Sequence, residues 1–181
     1  MDTIVKNVPR LLAFSVALTG CVPMEVTTPP VMVTPKFAAN AVGLDVYARD
    51  RQRGNPVPRF RGQKTVSIRT QGKTSGGSFG ELSGVPCTVD AGIYTASFRT
   101  PTNLVVPDYG PSSPAIFVRC VIEERSGSAT VNAYNATAAQ RQSGAFGTGI
   151  LGAIIIGAIA ASQRDDNADD FQYPAILVLL K

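Results

Sequence analysis

Histidine and tryptophan are absent from this 181-residue chain, and cysteine occurs only three times. Without histidine there is no Ser-His or Cys-His nucleophile pair and no imidazole metal ligand. Charge is sparse as well. Asp, Glu, Lys and Arg make up 17% of the residues, 17 basic against 13 acidic, where about a quarter is usual for a soluble domain. With a mean hydropathy of +0.10, the chain is too apolar to read as disordered. Its length suits one domain with a single core.

Other chemistries lack their residues. Gly72-Lys73-Thr74 has no upstream glycine at phosphate-loop spacing. The acidic run 165–170 has neither the glycine nor the distant glutamate of an EF-hand, so it reads as a polar loop with no metal. Glu123 and Glu124 are adjacent at a strand end and point to opposite faces, so they cannot act as an acid–base pair. Ser75, Ser78 and Ser83 have no histidine or evident lysine partner. The expectation is a protein that is not an enzyme.

What is present begins at the N-terminus. Lys6 and Arg10 precede an uncharged, mainly apolar run over 11–20, the pattern of a secretory signal and too short to span a bilayer. Leu18-Thr19-Gly20-Cys21 resembles the lipobox of bacterial lipoproteins. The resemblance implies a signal peptide over 1–20, cleavage before Cys21, diacylglycerol on its thiol and acylation of the new amino terminus. These covalent lipids would be its only attached groups, with no separate cofactor. Two or more acyl chains anchor a protein stably, where one does so marginally. Val22, rather than Asp, follows the acceptor. By the same resemblance that favours the inner leaflet of the outer membrane, facing the periplasm. If Cys21 carries lipid, Cys87 and Cys120 remain as a pair in an oxidising compartment, where a disulfide is the default. Such a bridge stabilises by roughly 3–4 kcal/mol in the chain-entropy model. A redox pair is disfavoured because the two thiols form no CxxC.

Residues 21–40 hold four Pro and three Thr and read as an extended tether, with room for a short strand. Residues 41–48 read as a strand or short helix and begin a basic extension over 41–73. The clearest globular part starts at 64, where Val66 and Ile68 share one face at period two. A Gly/Ser loop is expected over 71–80. Strands are expected at 85–89, 93–99, 103–106 and 115–122, separated by turn signals at 90–92, 100–102 and 107–111. Residues 175–180 are apolar throughout, as in a strand inserted between neighbours and buried on both faces. The spacing predicts a mainly β fold, a small antiparallel sandwich.

Gly84-Val-Pro-Cys87, the Gly92 turn, an aromatic strand, Thr100-Pro101, a Val-rich strand and a return to Cys120 resemble the PEGA-type β domain of bacterial surface lipoproteins. The Gly-rich apolar segment, the acidic loop and Tyr173-Pro174 resemble the ends of uncharacterised proteobacterial lipoproteins with such domains. The likeness covers 64–181. It implies a fold and a compartment and transfers no catalytic residue.

Twenty-two uncharged residues separate Arg141 from Arg164. Within them, over 144–161, Ala145, Gly149, Ala153, Gly157 and Ala161 recur at every fourth position, with bulky Ile and Leu between. Small rows of this kind let helices approach closely, as glycine zippers do in membranes. Three readings stand: an oligomerising membrane-inserted helix, a helix or helical hairpin packed on the β domain, or a Gly-rich loop. A strand at 175–180 that pairs with earlier strands forbids a single crossing.

Arg49, Arg51, Arg53, Arg59, Arg61, Lys64, Arg69 and Lys73 fall within 25 residues, opposed only by Asp50. One reading is a solvated basic loop; the other is a surface for envelope polyanions, since the arginine fork suits phosphate and carboxylate. Nucleic acid is not expected as a partner, because stacking aromatics do not interleave beyond Phe60. The expected role is structural or adaptor-like: a lipid-anchored envelope protein partnered by membrane lipid and other envelope proteins. The alternative is an oligomeric membrane component of an envelope or secretion complex, assembled through 144–161, with homo-oligomers as its form.

Overall fold

The computed structural model describes residues 24–146 and 164–181. The signal run 1–20, Cys21, and Gly149, Ala153, Gly157 and Ala161 of the small-residue row lie outside the described residues. Ala145 falls in the last turn of a helix over Ala136–Phe146.

The fold is mainly β. One five-stranded sheet, here sheet A, contains β1 (Val31–Met32), β3 (Gly62–Lys73), β4 (Phe79–Leu82), β7 (Thr102–Asp108) and β12 (Ile176–Leu179). Sheet B contains β2 (Thr34–Pro35), β5 (Val85–Asp90), β6 (Tyr94–Thr100), β8 (Ile116–Ile122) and β9 (Arg125–Val131), in the order β2-β6-β5-β8-β9. A two-stranded ladder joins β10 (Tyr134–Asn135) to β11 (Phe171–Gln172). The helices are α1 (Ala48–Gln52) and α2 (Ala136–Phe146).

Alternation makes the core. In β5 the buried positions are Val85, Cys87 and Val89, in β6 Tyr94, Ala96 and Phe98, and in β8 Ile116, Val118 and Cys120. Sheet A answers with Val66, Ile68, Leu104, Val106, Ile176 and Val178, all within one cluster with the sheet B residues. Period-two burial on both sheets gives each one dry face and one wet face.

The central strand β3 is longer than its Val66/Ile68 signal. It runs through Lys73, and the hairpin to β4 pairs Lys73 with Phe79, so much of the expected 71–80 loop is strand. β9 is the strand that periodicity overlooked. It is half-exposed along its whole length and built from Ser126, Gly127, Ser128 and Thr130. Glu123 and Glu124 form its two-residue turn with β8, Glu123 taking a left-handed φ of 52°.

The C-terminal strand corrects an expectation. β12 is not inserted between two ladders and not buried on both faces. It pairs in parallel with β3, Ile176 against Ile68 through Leu179 against Gln71. Ile176 and Val178 point into the core, while Leu177 and Leu179 point outward. Beyond it, Ser126 and Lys181 exchange two backbone hydrogen bonds of 3.1 Å, which stitch β12 to the edge of sheet B. The chains approach so closely there that a Cβ at Gly127 would lie 2.1 Å from the Leu179 carbonyl oxygen.

At the other edge, residues 31–35 cross from one sheet to the other. β1 pairs in parallel with β7 and β2 pairs antiparallel with β6, with Val33 buried between them. The Pro/Thr stretch expected as a tether over 21–40 is therefore part of the domain from residue 31 onward. Proline keeps that chain extended, and the extension serves sheet pairing rather than reach.

Candidate functional site

The disulfide is present. Cys87 and Cys120 lie directly opposite each other on β5 and β8 with their Cα atoms 4.1 Å apart. That spacing belongs to a non-hydrogen-bonded antiparallel pair, the position where side chains approach most closely. Both sulfurs are buried.

The basic stretch does not present one open cationic surface. α1 and the loop after it carry its first half. Arg51 Nη1 meets Asp45 Oδ2 at 2.6 Å and Arg51 Nη2 donates to the Pro58 carbonyl at 2.6 Å. The Asp45 carboxylate raises the Arg51 pKa further by accepting its hydrogen bond. Arg53 pairs with Asp50 at 3.4 Å. Tyr109 binds this corner from β7's end: its hydroxyl accepts from the Val46 N–H at 2.8 Å and donates to Asp45 at 3.3 Å. Burial pushes its phenol well above the ordinary range. Tyr47 and Phe60 pack edge-on against the Tyr109 ring. Arg49 and Arg59 have no side-chain hydrogen bond or ion pair among the described residues.

The second half of the basic stretch meets the acidic loop, which sequence reasoning treated separately. Arg61 donates to the carbonyls of Asp166 at 3.2 Å and Asp169 at 2.6 Å. Lys64 is paired with Asp170 and stands 3.9 Å from Asp108. A shallow cleft of about 180 Å³ opens here between Arg59, Arg61, Tyr109, Ser112 and Asn167.

Asp169 is the centre of this end of the molecule. Its side chain is 1% exposed. It accepts from Asn135 Nδ2 at 2.7 Å, from the Asp165 N–H at 2.9 Å and from Arg141 at 2.9 Å. The Asn135 amide, the Asp165 N–H and the Arg141 charge hold the carboxyl below its ordinary range. The Lys64 and Gln172 hydrogen bonds do the same for Asp170. Asn135 also caps α2, its Oδ1 accepting the Ala138 N–H at 2.7 Å, three positions along, as an N-cap should. The Ala136 N–H bonds the Asp170 carbonyl and the Asp170 N–H bonds Thr137 Oγ1.

These contacts tie residue 136 to residue 170. After this closure the chain goes on into β12, which pairs with β3. Residues 147–163, on which the membrane reading rests, lie outside the described residues. Among the described residues no helix is long and apolar enough to cross a membrane.

Each carboxylate of the acidic loop accepts from at least one protein donor. Asp165 Oδ1 accepts the Asn167 and Ala168 N–H groups, and Asp166 is paired with Arg164. Among the described residues no group of three His, Cys, Asp or Glu side chains is placed to hold a metal ion.

One further contact had no sequence signal beyond the charge of its members. At the far end of β3, Arg69 Nη1 meets Glu81 Oε1 at 2.6 Å, and the pair grips the backbone of Met24. Glu81 Oε2 accepts the Met24 N–H at 3.0 Å and Arg69 donates to the Met24 carbonyl at 2.7 Å.

No family model, no curated protein and no solved structure matches this chain.

Proposed function

We propose that this chain is a bacterial envelope lipoprotein, anchored by acyl groups on Cys21, whose PEGA-like β domain serves a structural or adaptor role without catalysis. The observation that carries the reading is the buried Cys87–Cys120 bridge downstream of the Leu18-Thr19-Gly20-Cys21 motif. A disulfide between neighbouring core strands belongs to a chain that folds outside the reducing cytosol, and the motif supplies the route there. The commitment of Arg51, Arg61 and Lys64 to internal partners favours a domain that works through its shape and attachment over one that captures free polyanions. Arg49, Arg59 and Lys73 are the members of the basic stretch left for an envelope anion.

Metabolic labelling with an alkyne palmitate analogue tests the anchor. Wild-type protein should carry label and sediment with membranes, and Cys21→Ser should carry none and be released by a high-salt wash. An unlabelled wild-type chain overturns the reading.

A further inference from the structure

We infer that the outer face of sheet A is a lipid-contacting surface, pressed against the leaflet that holds the acyl chains. The inference rests on the anchored reading above and adds an orientation to it.

The first observation is how Met24 is held. Met24 is fixed on this face by the Arg69–Glu81 pair through both its N–H and its carbonyl. Only three residue steps separate Met24 from Cys21. Fully extended, they reach about 11 Å at most. A lipid-bearing residue has its acyl chains in the hydrocarbon and its backbone in the headgroup layer, which is roughly 5–8 Å deep on each side. The clamp therefore holds this end of sheet A within touching distance of the membrane surface. A long free tether would have allowed any orientation; this one does not.

The second observation is what the face displays. Side chains at alternate positions share a face. Along β12 the outward residues are Leu177, at 46% exposure, and Leu179, at 47%. Across from them on β3 are Arg69 and Gln71, by register. Phe79, at 65% exposure, opposes Lys73 on β4. Met24 itself is exposed beside the clamp. Large apolar side chains turned outward on a sheet face invite association unless something covers them. Phe79 and the leucines suit the apolar side of a headgroup layer, and Lys73 can extend its ammonium to phosphate while its stem stays with the apolar groups.

Gln63, Thr65 and Ser67 make the other end of β3's outer face polar, and the outer face of sheet B carries fewer large apolar groups than sheet A's. By register it carries Thr88, Ser97, Ser128 and Thr130 around Arg119, with Phe117 and Val121 isolated among hydroxyls. That makes it the internal control.

The full-length protein, purified from membranes in mild detergent, would be reconstituted into phosphatidylethanolamine–phosphatidylglycerol vesicles containing a photoreactive phospholipid. Mass spectrometry of the peptides reads two things: acyl mass at Cys21 and lipid adducts on each sheet. The expected result is adduct formation on the Phe79 and Leu177–Leu179 peptides several-fold above that on the Phe117–Val121 peptide. Equal labelling of the two sheets on acylated protein overturns the inference and leaves the anchor standing. A Cys21 peptide without acyl mass overturns the anchor, and this inference with it. The Arg69→Ala/Glu81→Ala double variant should keep its acyl mass and its thermal midpoint within a few degrees, while the labelling contrast between the sheets is lost. A contrast that persists in this variant also counts against the clamp as the orienting device.

Discussion

The two ends of β3 each receive a piece of incoming chain, and they hold it by different means. At the Gly62–Lys64 end, Arg61 and Lys64 engage the 165–170 loop, whose Asp169 is buried and saturated by Asn135, Arg141 and the Asp165 backbone. At the Arg69–Lys73 end, a partly exposed Arg69–Glu81 pair grips one residue by its main chain. A carboxylate taken out of water must have every lone pair answered, so the first end behaves as a unit in which no partner is optional. The second end has a single ion pair, Arg69 with Glu81, whose side chains are 26% and 16% exposed and which is spent on the main chain of one residue. The first end closes the chain around a buried carboxylate, and the second should be releasable without unfolding the domain, as the proposed attachment requires.

The largest effect is expected where the buried end is broken. Asp169→Ala strands the Asn135 amide, removes a buried carboxylate that pairs with Arg141 and loosens the closure between 136 and 170. The thermal midpoint should fall by about 10 °C, given 2–8 °C per kcal/mol for domains of this size. A midpoint within a degree or two of wild type would show that the two ends do not differ as described.

β12 links the ends, arriving from the acidic loop and finishing beside the clamp, so its seam with β9 bears on both. Gly127→Val drives a side chain into the Leu179 carbonyl. It should cost about 3 kcal/mol, the upper part of the overpacking range, and amide exchange should quicken at Ser126 and Lys181. Unchanged protection there would place the seam outside the folding core.

Acid separates the ends further. Asp169 and Asp170 have folded pKa values below the ordinary 3.8. The unfolded chain therefore binds protons more readily than the folded one, and their contribution is complete above about pH 4–5 and lost as pH falls through the lowered values. The thermal midpoint should be flat from neutrality down to that range and then decline. In Asp170→Asn the decline should be shallower. A midpoint that rises on acidification would reverse the sign of this argument.

The smallest effect belongs to the Met24 end. Arg69→Ala should lower the thermal midpoint by only a few degrees, less than Asp169→Ala does, while proteolysis near Met24 accelerates. A large loss of stability would mean that the clamp is structural.

The contrast also shows what was legible in the sequence. Period-two burial announced β5, β6, β8 and the middle of β3, because each has one dry face and one wet face. β9 escaped because its small Ser and Gly positions carry no amphipathic signal; they serve close chain approach at Gly127 instead. β12 was misread for the opposite reason. Leu177 and Leu179 look like core residues, and only the tertiary register puts them outside. The Asp169 site was half legible. Asn135, three residues before Ala138, is an ordinary N-cap signal, and Arg141 and the acidic run were both noted. Nothing local says that residues 28 and 34 positions apart converge on one carboxylate. The Met24 clamp was invisible because it recognises backbone, which every sequence has.

The parallel pairing of β12 with β3 has a consequence in time. Ile68 cannot find Ile176 until 108 more residues have been made and delivered. Pairings this distant in sequence are slow to form, because loop closure must be met before contacts reward it. For most of its synthesis the chain thus lacks the strand that completes its central sheet. A polypeptide that has to be threaded across a membrane must stay unfolded until it has passed. Here the ordering of the strands alone delays completion of the central sheet until β12 has arrived.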